Sequence, residues 1–502
     1  MKLGELVNKC LPKSREMPFA DLEITGITSD SRQVKPGSVF VAIKGTALDG
    51  HEFIESAITA GATVVVGSER ASSEMKDRVP YIIVGNPRRF LALGAQLLAG
   101  NPTENLKVVG ITGTNGKSST LELCRAIIEN SGGKCATVGT LGYNSGMSHG
   151  ASTQTTPDAT QLAAIFKEAR DSGVEYIVME VSSHALHQFR VDGIDFNVGV
   201  FTNLTQDHLD YHAGLQEYTE CKKRFFDSMN HDPSGRAVVV NMDDPAGEEM
   251  TSAFSGKIMS YALNKEAQLT ATNISHGRNS TRFVVEYDGN SADFETPLAG
   301  IHNVYNCLAA TGACLALGFD LSDCAHGISA LDVIAGRFER IVAGQAFDVI
   351  VDYAHTEDGL RNVLKAGRDL GPNRIIAVFG CGGDRDRSKR PKMAAVVAEL
   401  SDLAVLTSDN PRTEAPERII LDAEVGFQKS GGVSGETYWT ILDRREAIGH
   451  ALCLAREGDI VIIAGKGHET YQIVGSERHD FDDRIVAREI LDEENLTSNK
   501  QN

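Results

Sequence analysis

Between residues 107 and 124 the chain reads as an apolar run, a glycine turn and the start of a helix, an order few folds accommodate. Lys107–Thr112 (KVVGIT) predicts a strand and Gly113-Thr114-Asn115-Gly116 a tight loop. Lys117-Ser118-Ser119 and the residues after them predict a helix ending near Gly132-Gly133. Such a strand–loop–helix aims backbone N–H groups and a helix N-terminus at phosphates. Lys117 is placed to meet β/γ-phosphate charge and Ser118 to offer its hydroxyl to Mg²⁺. The strict pattern G-x-x-x-x-G-K-[ST] is not met, because Ile111 stands where its first glycine belongs and the glycines fall at 110, 113 and 116.

The rest of the chain repeats the strand half of this motif. Val39–Ile43, Ala62–Val66 and Tyr81–Val84 fall in a first segment that ends near Gly100-Asn101-Pro102. Tyr176–Met179, Val198–Phe201 and Ala237–Val240 follow the glycine loop, and Phe347–Val351, Arg374–Phe379, Leu403–Leu406 and Ile460–Ile463 follow Gly336. Short, continuous runs of Val and Ile are what parallel strands covered on both faces look like. At 502 residues the chain exceeds one core, and about three domains are expected. The expected fold is α/β in three domains: residues 1–105, a central P-loop parallel-sheet ATPase domain over 106–335, and a Rossmann-like domain over 336–502. Polar clusters follow directly on eight of the apolar runs: GTNGKSS, EVSSH, TNLTQDH, NMDD, DYAHTED, GCGGDRD, TSDNPR and GKGHE. Ligands of open α/β sheets bind beyond the carboxyl ends of strands, so these clusters predict two sheet edges facing one cleft. Residues 495–502 read as a frayed polar tail.

Composition excludes other classes. A formal charge of −19 leaves no net basic field for nucleic acid. Nine cysteines without a C-x-x-C pair suggest reduced thiols in a cytosol. The N-terminus MKLGELVNKCLPKSREMP lacks an apolar signal core, and no apolar run is long enough to span a bilayer. A cytoplasmic monomer without membrane insertion is expected.

The loop GTNGKSS resembles the nucleotide loop of the Mur ligases and their folylpolyglutamate synthase relatives. TTPD (Thr155–Asp158), MEVSSHAL (Met179–Leu186), FTNLTQDHLDYH (Phe201–His212), GIHNVYN (Gly300–Asn306), GRFE (Gly336–Glu339), DYAH, GCGGDRD, DNPR (Asp409–Arg412), GKGHETYQ (Gly465–Gln472) and FDDR (Phe481–Arg484) resemble the family member that adds the third amino acid. The segment Ser29–Arg32, with Pro36-Gly37 and Asp49-Gly50-His51, resembles its UDP-binding domain. The resemblance implies an ATP-dependent ligase of cell-wall synthesis that activates a carboxylate as an acyl phosphate for attack by an amine. It implies ATP contacts at Gly113, Thr114, Asn115, Gly116, Lys117, Ser118, Ser119, Asn303, Arg337 and Asp352. Catalytic and metal roles fall to Lys117, Ser118, Glu180, His208 and Lys222, the last as a carbamate that helps hold Mg²⁺. Adjacent Lys223 leaves that last assignment dependent on alignment. On bare chemistry His208 would be a satisfied loop histidine, since imidazole is not a preferred Mg²⁺ ligand; His212 is read as structural. Contacts to a UDP-N-acetylmuramoyl dipeptide are implied at Ser31, Thr155, Thr156, Ser183, Gln188 and Arg190.

The arginine of DNPR bears on which amino acid is added. In the family it marks enzymes that take meso-diaminopimelate, which differs from lysine by a second carboxylate. Arg412 offers a rigid fork of donors for that group. Arg390, Asp409, Asn410, Pro411, Gly465 and Glu469 are expected to complete the pocket, with Glu469 facing the distal ammonium. A ligase of the same family adding lysine or another amino acid, and a non-catalytic nucleotide-binding relative, are the competing readings. Glu357 replaces the proline of the usual DYAHTPD pattern, and a glutamate suits a helix N-terminus.

Overall fold

The computed structural model describes residues 1–11, 19–45, 48–69, 78–152, 154–277 and 280–499, with backbone alone for 494–499. Three sheets follow one another along the chain. The first is a parallel sheet in the order β1 (Gly26–Thr28), β2 (Ser38–Val41), β3 (Ala62–Gly67) and β4 (Tyr81–Ile83).

The central sheet contains β5 (Lys107–Thr112), β6 (Cys135–Gly139), β7 (Gly142–Asn144), β8 (His149–Gly150), β9 (Tyr176–Glu180), β10 (Val198–Phe201) and β11 (Ala237–Asn241). It continues through β12 (Lys257–Ala262), β13 (Leu269–His276), β14 (Thr281–Tyr287) and β15 (Asn290–Thr296), in the order β15-β14-β13-β12-β11-β10-β5-β9-β6-β7-β8. β5 lies between β9 and β10 and is parallel to both. Its next partners in sequence lie on one side and β10 on the other, so the chain reverses direction beside β5, where α/β sheets leave a crevice. Alternate residues of β5 enter opposite cores. Val109 and Ile111 pack with Leu123 and Ile127 of the helix Lys117–Asn130 and with Val304 and Leu308 of the helix Ile301–Leu317. Val108 packs with Phe166 and Phe225 on the other face.

The third sheet runs β16 (Glu339–Ile341), β17 (Asp348–Asp352), β21 (Ile460–Ala464), β18 (Ile375–Cys381), β19 (Leu403–Ser408) and β20 (Tyr438–Thr440), all parallel except β16. A hairpin of β22 (Tyr471–Val474) and β23 (Glu477–Asp480) stands beside it. All eight polar clusters lie at carboxyl ends of parallel strands, and those of the last two sheets face each other.

The antiparallel edge β13–β15 was not expected from the sequence. Its signal was there: Asp288-Gly289, at φ 50° and 74°, forms the two-residue turn joining β14 to β15, and only Asn, Asp and Gly take that turn readily. The polar tail is helical rather than frayed as far as Asn499, because the helix Asp483–Asn499 docks through Val486, Ala487 and Leu491; residues 500–502 lie outside the described set. Glu357 is the first residue of the helix Glu357–Asp369, capped by Thr356. None of the nine cysteines is joined in a disulfide, and eight of them are buried. Among the described residues no helix is long and apolar enough to cross a membrane.

One buried ion pair anchors the third sheet. Arg444 and Asp483 are both 0% exposed in their side chains. Arg444 Nε and Nη2 donate to Asp483 at 2.8 and 2.7 Å, and Nη2 also donates to the Ala464 carbonyl at the end of β21. Removing one partner leaves a buried charge uncompensated, at about 3–5 kcal/mol. Asp483→Ala should therefore lower the urea midpoint by that equivalent, and Arg444→Met/Asp483→Ala together by less. A midpoint unchanged in the single variant contradicts this reading.

Candidate active site

The glycine loop is braced by the loop that follows β10. Thr114 N donates to Asn203 O at 2.8 Å, Asn115 N to Asn203 Oδ1 at 2.9 Å, and Thr202 Oγ1 to Asn115 O at 2.7 Å. Gly113 has φ +150°, and a Cβ there would lie 1.8 Å from Thr202 Oγ1; Gly116 has φ +85°, and its Cβ would lie 2.3 Å from Asn306 Oδ1. Both positions therefore require glycine.

Two ammonium groups converge on this loop. Lys117 Nζ donates to the carbonyls of Gly113 (3.0 Å) and Thr114 (2.8 Å). Lys222, on the helix Leu215–Ser228, is 1% exposed and donates to Gly113 O at 2.9 Å, with Nζ 4.5 Å from the centre of the Tyr218 ring. Burial, reinforced by the charge of Lys117, holds the Lys222 ammonium well below the ordinary lysine range. Burial also lowers Lys117, against the pull of Glu180 and Asp207. Lys223 points away, into a pair with Asp227 at 2.8 Å.

Glu180 closes β9 and is 1% exposed. Its carboxylate accepts from Ser118 Oγ (2.8 Å), Thr140 N (2.9 Å) and Thr140 Oγ1 (3.0 Å). Ser118 Oγ in turn accepts from Arg337 Nη2 of the third domain at 3.0 Å. A cavity of about 150 Å³ opens beside Ser118 and Glu180. Hydroxyl and carboxylate oxygens around one pocket form a donor set that suits a hard divalent cation. His208 stands nearby at φ 56°, with its backbone N donating to Asp207 Oδ1 at 2.9 Å. Burial, with His184 and Lys117 nearby, outweighs Asp207 and lowers its imidazole to about 3. His212 is buried and bonded to Ser183 Oγ at 3.0 Å, a scaffold contact as expected.

Thr155, Thr156, Ser183, Gln188 and Arg190 form one polar wall. Thr155 Oγ1 lies 3.2 Å from Thr140 Oγ1; Thr156 Oγ1 donates to Glu180 O at 2.8 Å, Arg190 Nη1 to Thr156 O at 2.7 Å, and Arg190 Nη2 to Gln188 Oε1 at 2.7 Å. Ser31 lies apart from this wall, in the short turn Ser31–Gln33 after β1. On the opposite side Asn115, Gly116, Ser119, Asn303, Arg337 and Asp352 line a second cavity of about 80 Å³ between the central and third domains, with His302 and His355 in its wall. Asn115 Nδ2 reaches Asp358 Oδ2 across this boundary at 2.7 Å.

Asp409, Asn410, Pro411 and Arg412 follow β19, and Gly465 and Glu469 follow β21. Arg412 has φ 52°; its backbone N donates to Ile473 O at 3.1 Å and its Nη1 to Gly383 O at 2.7 Å. Glu469 Oε2 accepts from Asn410 Nδ2 and Lys466 Nζ, each at 3.0 Å. Arg390 is 1% exposed; its guanidinium pairs with Glu414 (2.7 Å) and Asp422 (2.9 Å) and donates to the Gly382 carbonyl (3.2 Å), next to the Gly383 carbonyl held by Arg412. This pairing holds Glu414 down to about 2.

Sequence reasoning passed over Thr140, Asn203, Asp207 and Lys466. Asn203 and Asp207 lay within a quoted motif, whereas Thr140 follows β6 in a cluster too small to stand out. Lys466 lay within GKGHETYQ; its side chain is 0% exposed and meets Glu469 three residues on and Asn410 from the loop after β19.

Three family models match consecutive parts of the chain: the Mur ligase family catalytic domain over residues 23–98, the Mur ligase middle domain over 111–314, and the Mur ligase glutamate ligase domain over 336–467. The UDP-N-acetylmuramoyl-L-alanyl-D-glutamate--2,6-diaminopimelate ligase of Geobacillus thermodenitrificans is 43% identical over 496 residues, covering 98% of this chain and 100% of that protein. Its namesake from Syntrophomonas wolfei is 43% identical, covering 98% of this chain and 99% of its own. A solved structure of a ligase of that name superposes with TM-score 0.69 at 32% identity, covering 99% of this chain and 100% of that one.

Gly113→Ala should lose binding of a fluorescent ATP analogue by at least about tenfold and also lower the thermal transition, because the added methyl strikes buried Thr202, a clash that costs about 1–3 kcal/mol. Unchanged affinity would contradict the loop geometry described above.

Proposed function

The chain belongs to the Mur ligase family, and we propose that it joins meso-diaminopimelate to the D-glutamate γ-carboxylate of UDP-N-acetylmuramoyl-L-alanyl-D-glutamate, with ATP converted to ADP and phosphate. The relatives' names support the reaction. The observation that carries the assignment to this chain is the convergence of the glycine loop, Lys117, Lys222 and Glu180, with Arg337 and Asp358 of the third domain reaching Ser118 and Asn115. Residues 1–105 would take the UDP moiety, 106–335 the nucleotide and the acyl substrate, and 336–502 the amino acid. The substrates are water-soluble, in keeping with a cytoplasmic monomer.

The chemistry needs positioning and charge stabilisation more than a protein nucleophile. The loop N–H groups and Lys117 hold the β- and γ-phosphates, while Asn303, Arg337 and Asp352 hold the remainder of ATP in the smaller cavity. Thr155, Thr156, Ser183, Gln188 and Arg190 orient the dipeptide so that its carboxylate meets the γ-phosphorus in line. The acyl phosphate is then attacked by the amine, and phosphate leaves. Ser118 and Glu180 would hold Mg²⁺, which when bound neutralises charge on the transferring phosphoryl group. His208 would support that centre as a neutral imidazole. Lys222 as an ammonium would repel a cation; its burial favours the neutral amine, which captures CO₂ and becomes an oxygen anion facing the same centre.

Arg412 sets the choice of amino acid. Its guanidinium pairs with the distal carboxylate of diaminopimelate, whereas beside lysine it would meet a cation and lack a partner. A buried polar group left unpaired costs about 1–3 kcal/mol, enough for roughly tenfold discrimination.

Phosphate release measured over a panel of amino acids should require both the UDP-dipeptide and diaminopimelate, with lysine at least about tenfold poorer in kcat/KM. Arg412→Ala should abolish that preference with little change in KM for ATP. Equal kinetics with lysine and diaminopimelate in the wild type would refute the specificity. Lys222→Ala should nearly abolish turnover, with partial recovery on adding short-chain carboxylates; full activity in that variant would refute the carbamate role.

A further inference from the structure

We propose that Lys389 is a positioning residue through which docking of the third domain sets the geometry of the His208 turn. Lys389 begins the helix Lys389–Leu400, just after the GCGGDRD segment that follows β18. Its Nζ lies 3.6 Å from Asp207 Oδ1 of the central domain. Two neighbours cross the same boundary: Arg385, in the loop before the helix, lies 3.8 Å from Asp210, and Lys392, on the helix, donates to Gln206 Oε1 at 3.0 Å. All three meet a single stretch, residues 206–210.

Burial separates the three contacts. Arg385 is 47% exposed and Asp210 26%, so water and salt screen that pair. Lys389 is 16% exposed and Asp207 8%, so theirs is the contact least screened. Asp207 also does something Asp210 does not. Its Oδ1 accepts the backbone N–H of His208, and its Oδ2 lies 3.4 Å from His208 Nε2. His208 sits at φ 56°, a left-handed conformation that a histidine keeps only where its surroundings over-determine it. Lys389 thus holds the carboxylate that holds the turn, and the turn faces Lys117 and Lys222. The domain carrying the amino-acid pocket completes the activating centre only when it is docked. This inference rests on the reading of His208 as part of that centre.

The test uses the full-length enzyme with Lys389→Met, Lys389→Arg and Asp207→Asn. Lys389→Met should lower kcat by about tenfold or more while KM for ATP stays within about twofold, and Lys389→Arg should recover to within about threefold of wild type. Lys389→Met should add nothing to the loss in Asp207→Asn, since both remove one coupling. Amide exchange of residues 206–212 should quicken in Lys389→Met, a readout independent of substrate. Wild-type kcat in Lys389→Met, or unchanged exchange in that segment, overturns the inference. Absence of turnover in the wild type overturns the proposed function instead, and exchange still decides the role of Lys389.

Discussion

The carbonyl oxygen of Gly113 is the point on which the rest of the site depends. It accepts both Lys117 and Lys222, from different helices, and the residue carrying it is pressed so closely to Thr202 that no side chain fits. Two lysines on one buried carbonyl are tolerable because burial lowers both ammonium groups. The arrangement places Lys117 beside the loop where the phosphates of a nucleotide would sit, and it sets the helix Lys117–Asn130 with its N-terminus facing them. Glu180 then meets Ser118 because β9 is the neighbour of β5 in the central sheet.

The third domain contributes from outside. Arg337 reaches Ser118, Asp358 reaches Asn115, and the 385–392 segment reaches the loop after β10. An acyl phosphate is open to hydrolysis, so a reaction through one benefits from a cleft that excludes water until the amine is in place. A site divided between two sheets joins the arrival of the amino acid to closure. The buried pair Arg444–Asp483 and the pair of Arg390 with Glu414 tie the helices and loops of the third sheet together.

Much of this was legible in the chain. The Val- and Ile-rich runs announced the parallel strands because both faces of each are covered, and β5 and β10 begin and end where those runs do. The glycines at 113 and 116 marked the loop because their backbone angles and close neighbours exclude other residues. The antiparallel edge β13–β15 was harder to see, since its alternating pattern is that of half-exposed strands and only the Asp288-Gly289 turn marked it. Thr140 was hidden for a different reason: its partners Thr155 and Glu180 lie far off in sequence, and nothing local shows what a threonine will face. Arg390 was picked out by motif, but its ion partners Glu414 and Asp422 could not be read from the sequence, since they lie 24 and 32 residues on.

The central claim is that this cleft activates a carboxylate by phosphorylating it. With ¹⁸O in the γ-carboxylate of the UDP-dipeptide, one turnover in the presence of ATP and diaminopimelate should transfer a single ¹⁸O into the phosphate released. Phosphate free of the label would mean that ATP is hydrolysed by water, and would contradict the account at its base.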